Sequence, residues 1–463
     1  MANADHTPAP KRQLKLGVIL DGAGATADGW RRPGVQPDAS VDIASFIAQA
    51  KMAEAALLDF LFIPDTLFIT PESAPHLLNR LEPISMLSAV ATHTSRIGLA
   101  ATMSVLFADP FTVARQIASL DRISQGRAAW NIVTSAVGAA ALNHSQPADF
   151  GTKDRYARAA EHVSVCQGLW DSWEPDAFTY DKSSGQYFDK AKLHPLNHKG
   201  PYYRVAGPLN IQTSRQGHPV LFQAGGSAQG RDLAARFADG IFAMVSNIDA
   251  ARAYIGEVRA RAADYGRADD AIAFFPRISP LVAPTDAEVT ERYLALTRLA
   301  DITDALAVLG QYLPGHDFAH MPLDGPFPDI ALAPADPTAP KPERLSYIET
   351  VPPADFLARV RREGLTLRQA AQQFMTPRTG FMGTPAQVAD TMAQWLEAGA
   401  ADGFIIRGGD FDGFAQGCIP ELQRRGLFRT AYEADTLRGN LGLPPSRNRY
   451  ANARTAAKSL SPA

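Results

Sequence analysis

Residues 96–135 read RIGLAATMSVLFADPFTVARQIASLDRISQGRAAWNIVTS. Arg96–Met103 and Arg127–Val133 are apolar runs of strand length, and Pro110–Ile123 between them has the pattern of a helix. Pro110 suits the first turn of that helix, where its missing N–H costs nothing. Strand, helix and strand in one stretch is the unit from which a parallel sheet is built.

The alternation continues in both directions. Towards the N-terminus lie a strand at Leu14–Leu20, a helix at Val41–Leu58, a strand at Phe60–Ile63 and a helix near Pro83–Thr94. The first helix carries Ile43, Phe46, Ile47, Ala50, Ala53 and Leu57 on one face. Towards the C-terminus, a helix from about Lys153 to Trp173 leads into a turn-rich insertion, Glu174–Ser214. Strands then fall at Pro219–Gln223, Gly240–Val245 and Ile272–Val282, with helices at Gln229–Ala238 and Ala250–Tyr265 between them. A second irregular stretch, Leu313–Val351, is dense in Pro and Asp. Helices near Pro353–Arg362 and Pro385–Ala398 precede a last strand, Gly403–Ile406, and a closing helix near Phe414–Arg425.

Eight strands separated by helices predict an α/β chain closed into a (β/α)₈ TIM barrel. The expected domain is 14–445, single, with insertions at about 174–214 and 313–351 and loose tails at 1–13 and 447–463. The rival is a doubly wound open sheet. It usually shows a Gly-rich fingerprint after its first strand, and here Asp21-Gly22-Ala23-Gly24 leads into no clear helix.

Composition narrows the function. The net charge is −3 and no long basic stripe occurs, so nucleic acid is not an expected partner. Two cysteines, Cys166 and Cys418, are too few for a disulfide framework or a cysteine metal site. There is no apolar run of about 18 residues and no secretory signal, so a cytoplasmic protein without membrane spans is expected.

Ligands of such barrels sit at the C-terminal ends of the strands. Asp65 follows the second strand, Thr102 and Ser104 close the third, and Asn131, Thr134 and Ser135 close the fourth. Gly225-Gly226-Ser227 follows the fifth, directly before a helix. Two glycines let a ligand approach the backbone, and the free N–H groups of the helix start, with the Ser227 hydroxyl, suit a phosphate. The same residues also make an ordinary tight turn with Ser227 as N-cap. Thr102 and Asn131 either hydrogen-bond a cofactor or satisfy neighbouring backbone. Asp65 is either a ligand for a polar ring or a turn residue after Pro64.

Tyr156 lies near the start of a helix, where it can donate to a phosphate or simply pack. Glu161-His162 suggests acid–base work, but no His-Glu-x-x-His spacing or compact ligand cluster supports a metal site. His144, His194 and His198 fall in loops and read as solvated. No Gly-x-Ser-x-Gly elbow or P-loop is present. A metal-free hydrolase using Asp21 and Asp65 remains a competing reading.

The order and wording of these stretches carry a resemblance. Leu58-Asp59-Phe60-Leu61-Phe62-Ile63-Pro64-Asp65, Arg96–Thr102, Ala114-Arg115-Gln116, Gly126–Ser135, Arg155-Tyr156 and Gln223–Ser227 are similar to the flavin-dependent monooxygenases typified by nitrilotriacetate and dibenzothiophene-sulfone monooxygenase, a branch of the luciferase-like barrels. Ala401–Ile406 and Arg425–Thr430 fit as well, and Trp130-Asn131-Ile132-Val133-Thr134-Ser135 is the most specific motif. The resemblance implies that Asp65, Thr102, Tyr156 and Ser227 bind FMN, with Tyr156 and Ser227 towards its phosphate. It implies reduced FMN (FMNH2) delivered by a separate NAD(P)H-dependent flavin reductase, O2 as co-substrate and oxygen transfer to a small organic substrate through a peroxy-flavin. A homo-oligomer is also expected. No catalytic acid or base is named by it. One departure is Thr152, where the family commonly has His; a hydroxyl cannot titrate near neutral pH. A deazaflavin-dependent oxidoreductase and a non-enzymatic flavin-binding protein are the alternatives.

Overall fold

The computed structural model describes residues 12–451 except 27, 72, 74, 136–137, 147–151, 333–350 and 409, and the side chains of 152 and 153. Eight parallel strands form a closed barrel: β1 (Lys15–Ile19), β2 (Phe60–Ile63), β3 (Gly98–Ser104), β4 (Ala128–Val133), β5 (Val220–Gln223), β6 (Gly240–Ala243), β7 (Ala273–Ile278) and β8 (Gly403–Ile406). Each pairs with its neighbours in chain order, and β8 closes the ring on β1. All eight expected strands are present, and the open-sheet rival is excluded.

Local chemistry starts the helices where the sequence placed them. The Asp109 side chain accepts from Phe111 N at 2.9 Å, with Pro110 in the first turn of the helix Pro110–Ile123. Side chains alternate along each strand. One set, including Leu16, Val18, Leu61, Ile63, Leu99, Trp130 and Ile132, packs outward against the helices. The other fills the barrel with Phe60, Phe62, Phe222 and Phe275, and Leu437, Leu441 and Leu443 join this inner cluster from the C-terminal segment. Phe60 lies 4.8 Å from Phe222 and 5.3 Å from Phe275, ring centre to ring centre. A Cβ at Gly17 would come within 2.3 Å of the Phe60 ring, so only glycine leaves space for it.

The base of the barrel, at the N-terminal ends of the strands, is braced by buried charge. Arg429 pairs with Asp59, whose other oxygen accepts from Leu16 N at 2.7 Å. Burial pushes the Asp59 carboxyl above its usual range, against the pull of Arg429.

The first insertion holds more structure than its composition predicts, and helices flank the second. Residues 174–214 contain two small hairpins, Phe178–Asp181 with Gln186–Phe188 and His198–Lys199 with Arg204–Val205. The segment returns along the helix Thr152–Trp170, where Glu161 accepts from Tyr203 N at 2.8 Å and Tyr202 donates to Asp154 at 2.6 Å. These contacts brace the helix flank. Between β7 and β8, the helices Ile302–Tyr312, Pro353–Glu363 and Leu367–Met375 build a separate core around Leu309, Phe356 and Phe374. Within the stretch read as a C-terminal tail, Asn448 is buried and donates to Asp171 O at 3.0 Å, and Tyr450 stacks on His194 at 4.0 Å.

Candidate active site

Thr102 and Asn131 sit opposite each other in the register of β3 and β4. By alternation they follow Ala100 and Ala129 into the barrel interior, at the end of the strands where the mouth opens. Asn131 Nδ2 donates to Thr102 Oγ1 at 2.9 Å. Both residues are buried, and Asn131 Oδ1 has no hydrogen-bond partner. Burying a bare amide oxygen costs about 1–3 kcal/mol, and none of the described residues donates to this one. Beside it, Ser135 donates to Ser104 at 2.8 Å.

At the rim, Tyr156 and Ser227 meet: their hydroxyl oxygens lie 3.1 Å apart. Ser227 is the N-cap of the helix Ala228–Phe237 and accepts from Gly230 N at 3.1 Å. The N-cap reading of Ser227 holds, and the same hydroxyl also reaches Tyr156. Gly225 has a structural reason, because a Cβ there would approach Gly230 Cα to 2.7 Å. Gly226 has none within the chain; a Cβ on it would meet nothing within 4 Å. Its bare backbone adjoins the helix N-terminus; Arg155, next to Tyr156 in sequence, has a buried Nε without a partner among the described residues.

Asp65 stands on the far side of Thr102, just beyond β2. Its carboxylate accepts from Thr66 N at 2.9 Å, as a turn residue does. Burial raises its pKa above the ordinary range, opposed by that hydrogen bond and by Arg80. Arg80 donates to Pro64 O and shares this corner with Asp21, Arg407 and His76. Arg407 clamps both oxygens of Asp21 at 3.1 Å each. Asp21 is thus committed to an ion pair, and the hydrolase reading loses one of its two carboxylates. Burial and the two arginines hold the His76 imidazole below its usual pKa, and its Nδ1 is buried without a partner.

Of the four expected ligands, the structure joins Tyr156 to Ser227, and puts Thr102 and Asp65 on adjacent strands. The remaining polar residues separate cleanly from the site. His162 is fully buried, bonds Ala108 O at 3.2 Å, and is pushed down to about 4 by burial, so it carries no charge at neutral pH. His194 and His198, read as solvated, are paired with Glu174 at 2.8 Å and Glu161 at 2.9 Å, and His144 stacks on Phe107. Thr152 opens its helix, but its side chain lies outside the described residues. Among the described residues no group of three or more His, Cys, Asp or Glu is placed to hold a metal ion, and no helix is long and apolar enough to cross a membrane.

The family model described as luciferase-like monooxygenase matches residues 29–402. The chain belongs to that family. Like the relatives it matches, this luciferase-like monooxygenase is an oxidoreductase. It is 41% identical to the N-acetyl-S-(2-succino)cysteine monooxygenase of Bacillus subtilis (strain 168), over 95% of this chain and 99% of the relative. It is 36% identical to nitrilotriacetate monooxygenase component A of Aminobacter aminovorans, over 95% and 98%. Among solved structures it resembles EDTA monooxygenase from Chelativorans sp. BNC1, with a TM-score of 0.75, 32% identity and coverage of 94% and 100%. A riboflavin lyase solved with modified FMN and riboflavin has a TM-score of 0.74 at 30% identity, with coverage of 94% and 96%.

The sequence reading left Asn131 without a firm role and did not single out His76, Arg80 or Arg407. Asn131 had a usable signal, an amide in an otherwise apolar strand. The others become visible only when the loops after β1, β2 and β8 converge.

Proposed function

We propose that the chain is the oxygenating part of a two-component monooxygenase that binds reduced FMN at the barrel mouth and oxidises a small organic substrate with O2. The observation that carries this reading is the pairing of a buried, partnerless acceptor on Asn131 with a hydroxyl pair, Tyr156–Ser227, at a helix N-terminus. These residues fit the two ends of a flavin mononucleotide. The inner amide offers an acceptor to a ring N–H, and the rim offers hydroxyl donors and helix N–H groups to a phosphate. The open space over Gly226 is the room such a phosphate needs.

When bound, reduced FMN supplies the electrons that activate O2. The protein's own tasks are to bind, orient and keep water out. Tyr156 and Ser227 hold the phosphate; Thr102 keeps the Asn131 amide in one orientation through its hydrogen bond; Asp65 flanks the ring position. Phe62 and Phe222, with the partly buried Phe242, line the barrel interior with apolar surface that disfavours water. A separate NAD(P)H-dependent reductase is the proposed electron source. It is supported by the relative named as a component A, and the Gly-rich stretch after β1 leads into no α-helix before Ile43 among the described residues. Self-association, as a homo-oligomer in the cytoplasm, completes the proposal.

Titration with reduced FMN under anaerobic conditions tests the assignment. Ser227→Ala and Tyr156→Phe should each weaken binding by roughly 1–2 kcal/mol through lost charge-assisted hydrogen bonds. Affinity equal to the parent's in both variants would place the phosphate elsewhere. With a generic reductase and labelled O2, one labelled oxygen should enter the product.

A further inference from the structure

The base of the barrel holds a second cavity, of about 250 Å3, remote from the mouth. Its lining comes from residues just ahead of β5, β6 and β7, so it opens at the end of the barrel opposite the flavin site. Arg236, Arg267 and Arg438 face it with a single carboxylate, Asp239, and with His218.

The charges there do not balance. Arg438 takes both oxygens of Asp239, at 3.1 and 2.7 Å, and one of those oxygens also accepts from Leu221 N. Asp239 has little left to offer the other two arginines. Arg267 is held by neutral carbonyls, those of Ala235, Ala238 and Ala271, and burial lowers its pKa. His218 is turned to Asp171, which Arg449 also holds. Three guanidinium groups therefore share one carboxylate. Arg438 is only 7% exposed, yet its Nε–H has no partner. Buried guanidinium N–H groups are normally satisfied, and a bare one marks a missing acceptor.

We propose that this cavity binds a small multivalent oxyanion, a phosphate or a compact polycarboxylate, between Arg236, Arg267 and Arg438. The planar N–H forks of arginine match such oxygens, and two uncompensated positive charges call for more than one negative charge. The cavity is larger than a lone phosphate needs, which leaves room for an organic acid with several carboxylates. Bound there, the anion ties the C-terminal segment carrying Arg438 to the loops ahead of β6 and β7. Its effect is on the stability of the barrel rather than on the flavin.

Calorimetric titration of the full chain, without added flavin, with sodium phosphate and with sodium citrate at matched ionic strength against sodium chloride, tests this. One saturable site is expected, and saturation at about 100 times Kd should raise the unfolding midpoint by about 2–3 °C. Arg236 is exposed at the lip, so Arg236→Glu should leave the midpoint in chloride unchanged and weaken the anion at least tenfold. Ser446→Asp, which places a carboxylate on the lining, should do the same. Ser227→Ala should leave this binding intact. The proposal fails if neither anion binds beyond chloride. It also fails if Arg236→Glu binds as the parent does, or if Ser227→Ala abolishes the binding, since the anion then sits elsewhere.

Discussion

At the base of the barrel Arg127 directs its guanidinium to the carbonyls of Ala91, Thr94, Ile97 and Ser124 and to the Thr94 hydroxyl, at 2.7–3.1 Å. At the mouth Asn131 makes one bond, to Thr102, and leaves its oxygen bare. Both residues are almost fully buried and both sit on or beside β4. The first is saturated, and four of its five bonds tie the start of β4 to the segment 91–97. The second keeps spare valence that the fold does not use. Burial alone does not tell these two roles apart; what separates this pair is whether the buried polar group is satisfied.

The sharpest way to break the comparison is Arg127→Met. It strips four carbonyls of their donor, and the expected loss of stability in urea unfolding is roughly 3–5 kcal/mol. Folded Arg127→Met should still bind reduced FMN as the parent does. If its flavin affinity falls while its urea midpoint holds, the base and mouth are not separate in role.

A second test concerns Asp121, also at the base. Its carboxylate accepts from Ala128 N at 2.9 Å, from Gln216 at 2.7 Å and from Ser214, and burial still raises its pKa to about 6. A folded pKa above the unfolded value near 3.8 means that the protonated form favours folding. That stabilisation is present at low pH and is lost as pH rises through about 6. Asp121→Asn can still accept from Ala128 N and Gln216 through its amide oxygen and donate to Ser214 instead. Relative to the parent it should therefore gain roughly 2 kcal/mol between pH 4.5 and 7.5. Parallel stability curves for the two proteins across that range would contradict the assignment.

At the mouth the corresponding change, Asn131→Leu, should behave in the opposite manner. Removing an amide whose oxygen is unsatisfied should shift stability by less than about 1 kcal/mol, while reduced-FMN affinity falls roughly tenfold. A large loss of stability with unaltered flavin binding would make Asn131 part of the scaffold.

The contrast also explains what could be read from the chain. All eight strands were legible because a barrel strand is buried on both faces, and runs such as Phe60–Ile63 and Gly403–Ile406 are apolar throughout. Ser227 was legible because a helix cap directly after a Gly-Gly turn is a local pattern. Asp21 could not be read, since its partner Arg407 is 386 residues away. The helices Asp286–Thr297 and Ile302–Tyr312 were missed beside the irregular composition that follows them, although Thr285 and Asp301 cap them; the second packs around Phe356.

The smallest expected effect separates the two jobs of Ser227. As N-cap to Gly230 it contributes to stability without any ligand, so Ser227→Ala should cost about 1 kcal/mol in the flavin-free protein. Tyr156 is half-buried and its hydroxyl bonds only to Ser227 among the contacts described, so Tyr156→Phe should cost less than that. A double-mutant cycle on flavin-free stability should then show a coupling of only about 0.5 kcal/mol, as expected for a partly exposed neutral hydroxyl pair. The same cycle read on reduced-FMN affinity should give a larger coupling, because a shared phosphate binds both hydroxyls at once. Equal couplings in the two cycles would mean that the pair meets only each other, and the rim would join the base as scaffold.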